Sequence, residues 1–123
     1  SVRSVDQFKK DPDVNNMLGL KDAQYRVAML EVPTTGLVFE VIDFKGIDRK
    51  TVRGNIQDPG STRIQLQVKD VDAAIDSLKR HGGAVVSTGG TTVNLPGRGG
   101  ATTKVAIVRD PDNLFLVLLQ AAR

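Results

Sequence analysis

Two stretches of the chain follow one pattern. Tyr25 to Ile42, YRVAMLEVPTTGLVFEVI, aligns with Thr103 to Leu119, TKVAIVRDPDNLFLVLL, with one residue of slack in the connecting loop. Val27-Ala28 then faces Val105-Ala106, Pro33 faces Pro111, and Leu37 to Ile42 face Leu114 to Leu119. Each copy is a β-rich run, a Pro-containing turn and a second β-rich run, which is how a hairpin is written in sequence. Two unrelated hairpins would leave the same strands. A true repeat adds more, because each residue can be judged by its counterpart, and Glu40 then stands opposite Val117.

The segments around the hairpins predict an α+β domain. Tyr25 to Val32 and Leu37 to Phe44 read as strands joined across Pro33-Thr34-Thr35-Gly36. Upstream, Asp11-Pro12 interrupts any helix, since the residue before proline avoids helical angles, so a loop and then one or two helical turns from Pro12, stopped by Gly19, are expected. Lys45 to Gly60 is a polar crossover. Thr62 to Lys69 alternates, with Ile64, Leu66 and Val68 on one face and Arg63, Gln65 and Gln67 on the other. The first face should pack beneath a helix that follows at once, with Asp70 as N-cap and Val71, Ile75 and Leu78 at helical spacing. It stops at His81-Gly82-Gly83, where a cationic side chain suits the helix dipole. Ala84 to Ser87 is a short strand, Thr88 to Gly100 a Gly-rich loop, and Thr102 to Arg109 with Leu114 to Gln120 complete the unit. Strand runs with one helix per copy indicate α+β with mainly antiparallel sheet.

Composition narrows the functions. At 123 residues the chain is one domain, divided here into 1–45, a crossover 46–61, and 62–123. No apolar run is long enough to span a bilayer and no secretory-type segment opens the chain, so a soluble, cytoplasmic protein without a membrane partner is expected. The absence of cysteine removes disulfides, thiolate nucleophiles and cysteine-ligated metals. The 17 basic and 14 acidic residues are interspersed, and there is no Trp and one Tyr, which argues against nucleic acid as partner. Asp110-Pro111-Asp112 reads as a hydrogen-bonded turn, the Gly pairs lack the setting of a phosphate-binding loop, and Ser61, Ser77 and Ser87 have no base beside them.

QLQVKDVDAAIDSLKRHGG followed by VRDPDNLFLVLLQ resembles the second module of the vicinal oxygen chelate superfamily, the glyoxalase, bleomycin-resistance and extradiol dioxygenase group. LGLKDAQYRVAMLEVP with GLVFEVIDF resembles the tail of its first module. The resemblance implies paired βαβββ modules whose antiparallel-rich sheets curl around a shared cavity. On that pattern the first strand of the first module is not in this sequence: it lies upstream of Ser1, or the opening has diverged. Enzymes of the group hold a divalent metal through His, Gln or Glu at the start of each module's first strand and Glu in each last strand. Carried over by position, the last-strand Glu of the first module falls on Glu40, a match. The His position of the second module falls on Arg63 and its Glu position on Val117, both mismatches. A guanidinium has no lone pair to give a metal.

The resemblance therefore implies no metal and no other cofactor held by these residues. Glu40 and Arg63 then either form an ion pair in the vacated position or stand solvated at strand edges. The alternation puts Gln65, Gln67, Phe115, Val117 and Leu119 on Arg63's side, a ligand-binding set of Arg63, Glu40, Gln65, Gln67, Phe115 and Val117 suited to a carboxylate, phosphate or enolate-like oxygen. The expected role is metal-independent binding or sequestration of a small organic molecule by a homodimer. Two alternatives stand beside it. One is a metal-dependent lyase, isomerase or dioxygenase using ligands from a missing segment or a partner chain. The other is a structural or regulatory module whose cavity is filled by its own side chains, Phe44 and Phe115 among them.

Overall fold

The two hairpins have the same register. In the computed structural model, which describes residues 1–121, β2 (Gln24–Glu31) pairs antiparallel with β3 (Val38–Lys45), and β7 (Thr102–Arg109) with β8 (Phe115–Ala121). Ala28 lies opposite Val41 and Leu30 opposite Phe39; Ala106 lies opposite Leu118 and Val108 opposite Leu116. The turn of the second hairpin closes as Asp110 Oδ1 accepts from Leu114 N at 2.8 Å, which confirms the reading of that acidic pair as loop chemistry. The chain divides into two units, Ser1–Lys50 and Thr51–Arg123.

The second unit is a strand, a helix and four further strands, which form one five-stranded sheet. β4 (Arg63–Gln67) runs parallel to β8, and α2 (Val71–Arg80) returns the chain to β5 (Ala84–Val85) at the far edge of β7. Asp70 caps α2 through Ala73 N at 3.0 Å, as its position after the strand predicts. His81 ends the helix, its Nδ1 donating to Ser77 O at 2.8 Å. The core lies between α2 and one sheet face: Val71, Ile75, Ala106, Val108 and Leu118 are buried, with Leu66, Val68, Leu78 and Leu116 packed around them. Gly83 admits no side chain, because a Cβ there would lie 2.9 Å from Leu78 Cδ2 and 3.1 Å from the Arg109 carbonyl. One segment departs from expectation. Within the Gly-rich stretch 88–100, Val93–Pro96 forms β6 and pairs with β7, because Val93 and Leu95 alternate in a strand period between the glycines.

The first unit is a three-stranded antiparallel sheet in the order β1-β2-β3, where β1 (Val2–Val5) was not foreseen from sequence. Only four residues long, β1 carries a bulge between Val2 and Ser4 that breaks the alternation a strand is recognised by. The short α1 (Pro12–Met17) begins and ends where Pro12 and Gly19 predict, Asp11 capping Asp13 N and Val14 N. It is not the counterpart of α2. It sits on the Glu40 side of its sheet, whereas α2 covers the side of its sheet away from Val117, so each unit has one α-helix but on non-equivalent faces.

Asn15 locks the connection from α1 into β2. Its Nδ2 donates to the carbonyls of Asp11 and Ala23, each at 3.0 Å, and its Oδ1 accepts from Ala23 N at 3.1 Å, with Asn15 at 6% exposure and Ala23 fully buried. A buried amide that satisfies both backbone groups of one residue is costly to remove, since those groups would have no water to turn to. Asn15→Ala is expected to lower the unfolding free energy by about 2 kcal/mol. The readout is a lower urea midpoint at an unchanged slope, and an unmoved midpoint would show that the loop is held by other contacts.

Candidate functional site

The face of the second unit away from α2 carries most of the residues singled out by sequence. Parallel pairing sets Arg63 beside Phe115, Gln65 beside Val117 and Gln67 beside Leu119, so all six project from one face. Arg63, Gln65 and Gln67 are exposed along β4, while Phe115 is 3% exposed and Val117 and Leu119 are half-buried. A polar row thus lies alongside an apolar one.

Sequence reasoning missed a further member of this face. Arg109 on β7 lies opposite Phe115 from the other side, its guanidinium carbon 4.6 Å from the ring centre. Arg109 also donates to the Gly54 carbonyl at 3.0 Å and to Asn113 Oδ1 at 3.3 Å, which ties the segment after Lys50 down over the strand ends. Phe115 is therefore flanked in register by two arginines, one tied down and one exposed. By strand alternation Val105, Ile107 and Arg109 share a face with Val117, but no local pattern joins Arg109 to the Gly54 carbonyl or the Phe115 ring. Beside Phe115, a cleft of about 350 Å³ opens between Val52, Gly54, Asp58 to Thr62 and Asp112 to Leu114. Asp58 accepts from Asn55 N there, which commits one carboxylate oxygen to the loop.

A divalent metal does not fit this face. Its donors are two glutamine amides, beside a guanidinium that repels cations and three apolar side chains. Among the described residues no group of three or more His, Cys, Asp and Glu side chains is placed to hold a metal ion.

Glu40 belongs to the first unit and a different cavity. It lies opposite Met29 on the sheet face shared with Tyr25, Val27 and Ile42, which together with Val14, Met17 and Leu18 of the α1 segment enclose about 500 Å³. The cavity is chiefly apolar, with the exposed Glu40 carboxylate on its sheet wall and Lys9 and Asp6 at another. Lys9 Nζ donates to Asp6 Oδ2 at 2.9 Å and lies 5.5 Å from the centre of the Tyr25 ring. The hydrogen bond that Lys9 donates to Asp6, and then the charge of Asp6, hold the Lys9 amine above the ordinary lysine range. A raised lysine pKa contributes stability that is complete below the unfolded value and is lost as pH climbs through the folded one, so this pair loosens only in alkali. Asp6→Asn is expected to bring the Lys9 titration midpoint back down, followed by NMR at the side-chain carbon next to Nζ. An unchanged midpoint would mean that the two groups do not pair in solution.

No helix of the described residues is long and apolar enough to cross a membrane. Comparison of the sequence finds no matching family model and no matching curated protein. Comparison of the structure finds a glyoxalase family protein from Bacillus cereus, with a TM-score of 0.73 and 16% sequence identity over 100% of this chain and 78% of that one. The strand order of the second unit, the repeated hairpin and this structural match agree: this chain has the fold of that glyoxalase family protein.

Proposed function

We propose that this glyoxalase-like chain binds a small organic anion, without a metal, on the face of β4 and β8 that carries Arg63. The observation behind this reading is the placement of Phe115 between Arg63 and Arg109, with no carboxylate among the residues in register on that face. Arg63 is exposed and forms no ion pair among the described residues of its own unit. Its guanidinium can offer two parallel N–H groups to a carboxylate or phosphate. Gln65 and Gln67 supply both donors and acceptors along the same strand and would orient the rest of the polar part. Val117 and Leu119, half-buried beside the buried Phe115, give an apolar body something to lie on, the usual division of labour in a small-molecule site. Glu40, in the other unit, takes no part in this reading. A lyase, isomerase or dioxygenase would need metal ligands from outside the described residues, and no feature of this face calls for one.

Titration with aromatic carboxylates, benzoate first, is expected to shift the amide signals of Gln65, Phe115 and Val117. Arg63→Ala should weaken that binding by about tenfold or more, the worth of one charge-assisted hydrogen bond. Arg63→Lys should recover only part of it, because an ammonium lacks the planar fork. Shifts confined to the first unit, or an Arg63→Ala variant that binds as well as the parent, would place the ligand elsewhere. Separately, protein purified without chelator or a metal-binding tag is expected to carry substoichiometric metal by elemental analysis. A near-stoichiometric transition metal would overturn the metal-free reading while leaving the anion test to stand on its own.

A further inference from the structure

The floor of the first unit's cavity is a sheet face, with Val27 of β2 opposite Ile42 of β3 and Met29 opposite Glu40. Past the end of β1 the chain keeps to the same sheet. Asp6 N donates to the Val27 carbonyl at 2.8 Å, and Lys9 and Tyr25 exchange two backbone hydrogen bonds of 2.9 Å. Val14, Met17 and Leu18 of the α1 segment form the opposite wall, which Asn15 holds in place through both backbone groups of Ala23. About 500 Å³ is left between floor and wall, a volume typical of small-molecule sites. Its apolar lining stays open, with Met17 75%, Leu18 40% and Ile42 37% exposed.

Two polar groups without partners stand at opposite ends of this space. Tyr25 comes four residues before Met29, the neighbour of Glu40, so the ends lie about 13 Å apart along β2. At one end Tyr25 is 7% exposed, and its hydroxyl bonds to none of the described residues, Lys9 being taken by Asp6. No buried side-chain oxygen among the described residues lacks a partner, so this hydroxyl keeps accessible surface, and the space that Tyr25 lines is the cavity. At the other end Glu40 forms no ion pair among the described residues. The lining therefore carries one uncompensated negative charge, at Glu40, and a neutral donor and acceptor at Tyr25. One free carboxylate offers too few donors for a divalent ion, whereas a single ammonium matches it in charge.

We propose that the cavity between α1 and the sheet of the first unit is a second binding site, and that it takes an elongated primary amine. The ammonium meets Glu40. The apolar body lies over Val27 and Ile42, beneath Met17 and Leu18, where an unbranched thioether adapts to the shape of what it covers. A hydroxyl or amide at the far end of the ligand meets the Tyr25 hydroxyl, which can both donate and accept. This site is independent of the Arg63 face and selects the opposite charge. An anion would face Glu40 with no free cation to answer it, and a wholly apolar molecule would leave both polar ends unused.

The probe is 8-amino-1-octanol, whose extended chain roughly matches the length of the floor, titrated into the whole chain and followed by NMR at the amides of Leu18, Val27 and Ile42. It is expected to bind about fivefold more tightly than 1-octanol, the upper range for an ion pair at an exposed carboxylate. At these amides 8-hydroxyoctanoate should give the smallest shifts of the three. Glu40→Gln, an exposed position where the change keeps the shape and removes the charge, should abolish the preference for the amine. Tyr25→Phe should weaken 8-amino-1-octanol and leave octylamine unchanged, a split that a merely loosened fold does not produce. The proposal is overturned by equal binding of the amine and the hydroxyoctanoate, or by an amine affinity that Glu40→Gln does not move. Shifts confined to Thr51–Arg123, or an equal loss of both amines in Tyr25→Phe, would overturn it as well.

Discussion

The contact on which the second unit depends is the seating of α2 by its first residue. Val71 is fully buried against the sheet, and its N–H is taken by the side chain of Gln120 on the strand that also pairs with β4. One residue thus fixes both where the helix lies and where it begins. Everything on the far side of the sheet follows, because a strand has only two faces: once Leu66, Leu116 and Leu118 turn toward α2, Arg63, Phe115 and Val117 must turn away from it.

That rule explains what could be read from the sequence. The strict alternation of Thr62 to Lys69 and the helical spacing of Val71, Ile75 and Leu78 are strong periodic signals. They located β4, α2 and the face of Arg63, Gln65, Gln67, Phe115 and Val117. The turn residues Asp11-Pro12 and Gly19 marked α1 nearly to the residue. β1 and β6 escaped because each is four residues long, one bulged and the other set among glycines, and so too brief for a period to show. The role of Arg109 escaped for a different reason. Its position on a strand was foreseen, but its partners, the Gly54 carbonyl and the Phe115 ring, come from distant stretches of chain that no local pattern connects.

The two copies of the hairpin keep their register but not all of their side chains. Backbone register is held in both hairpins, while the equivalent positions Glu40 and Val117 have become a carboxylate in one sheet and an apolar group in the other. Val117 lies on the side of its sheet away from the α2 core, whereas Glu40 lies on the side of its sheet that α1 and the buried Tyr25 occupy. A structural match at 16% identity therefore speaks for the shared backbone and is silent on the side chains it carries.

The parallel pairing of β4 with β8 also has a consequence for how the chain acquires its structure. The antiparallel partners β7 and β8 are neighbours in sequence and meet across a short turn, as do β2 and β3. β4 reaches β8 only after α2, β5, β6 and β7 have been traversed, so its pairing carries the largest loop-closure entropy in the unit. The strand that bears Arg63 is thus the one whose attachment asks most of the rest: its face of the sheet is complete only when the slowest class of contact in the unit has been made.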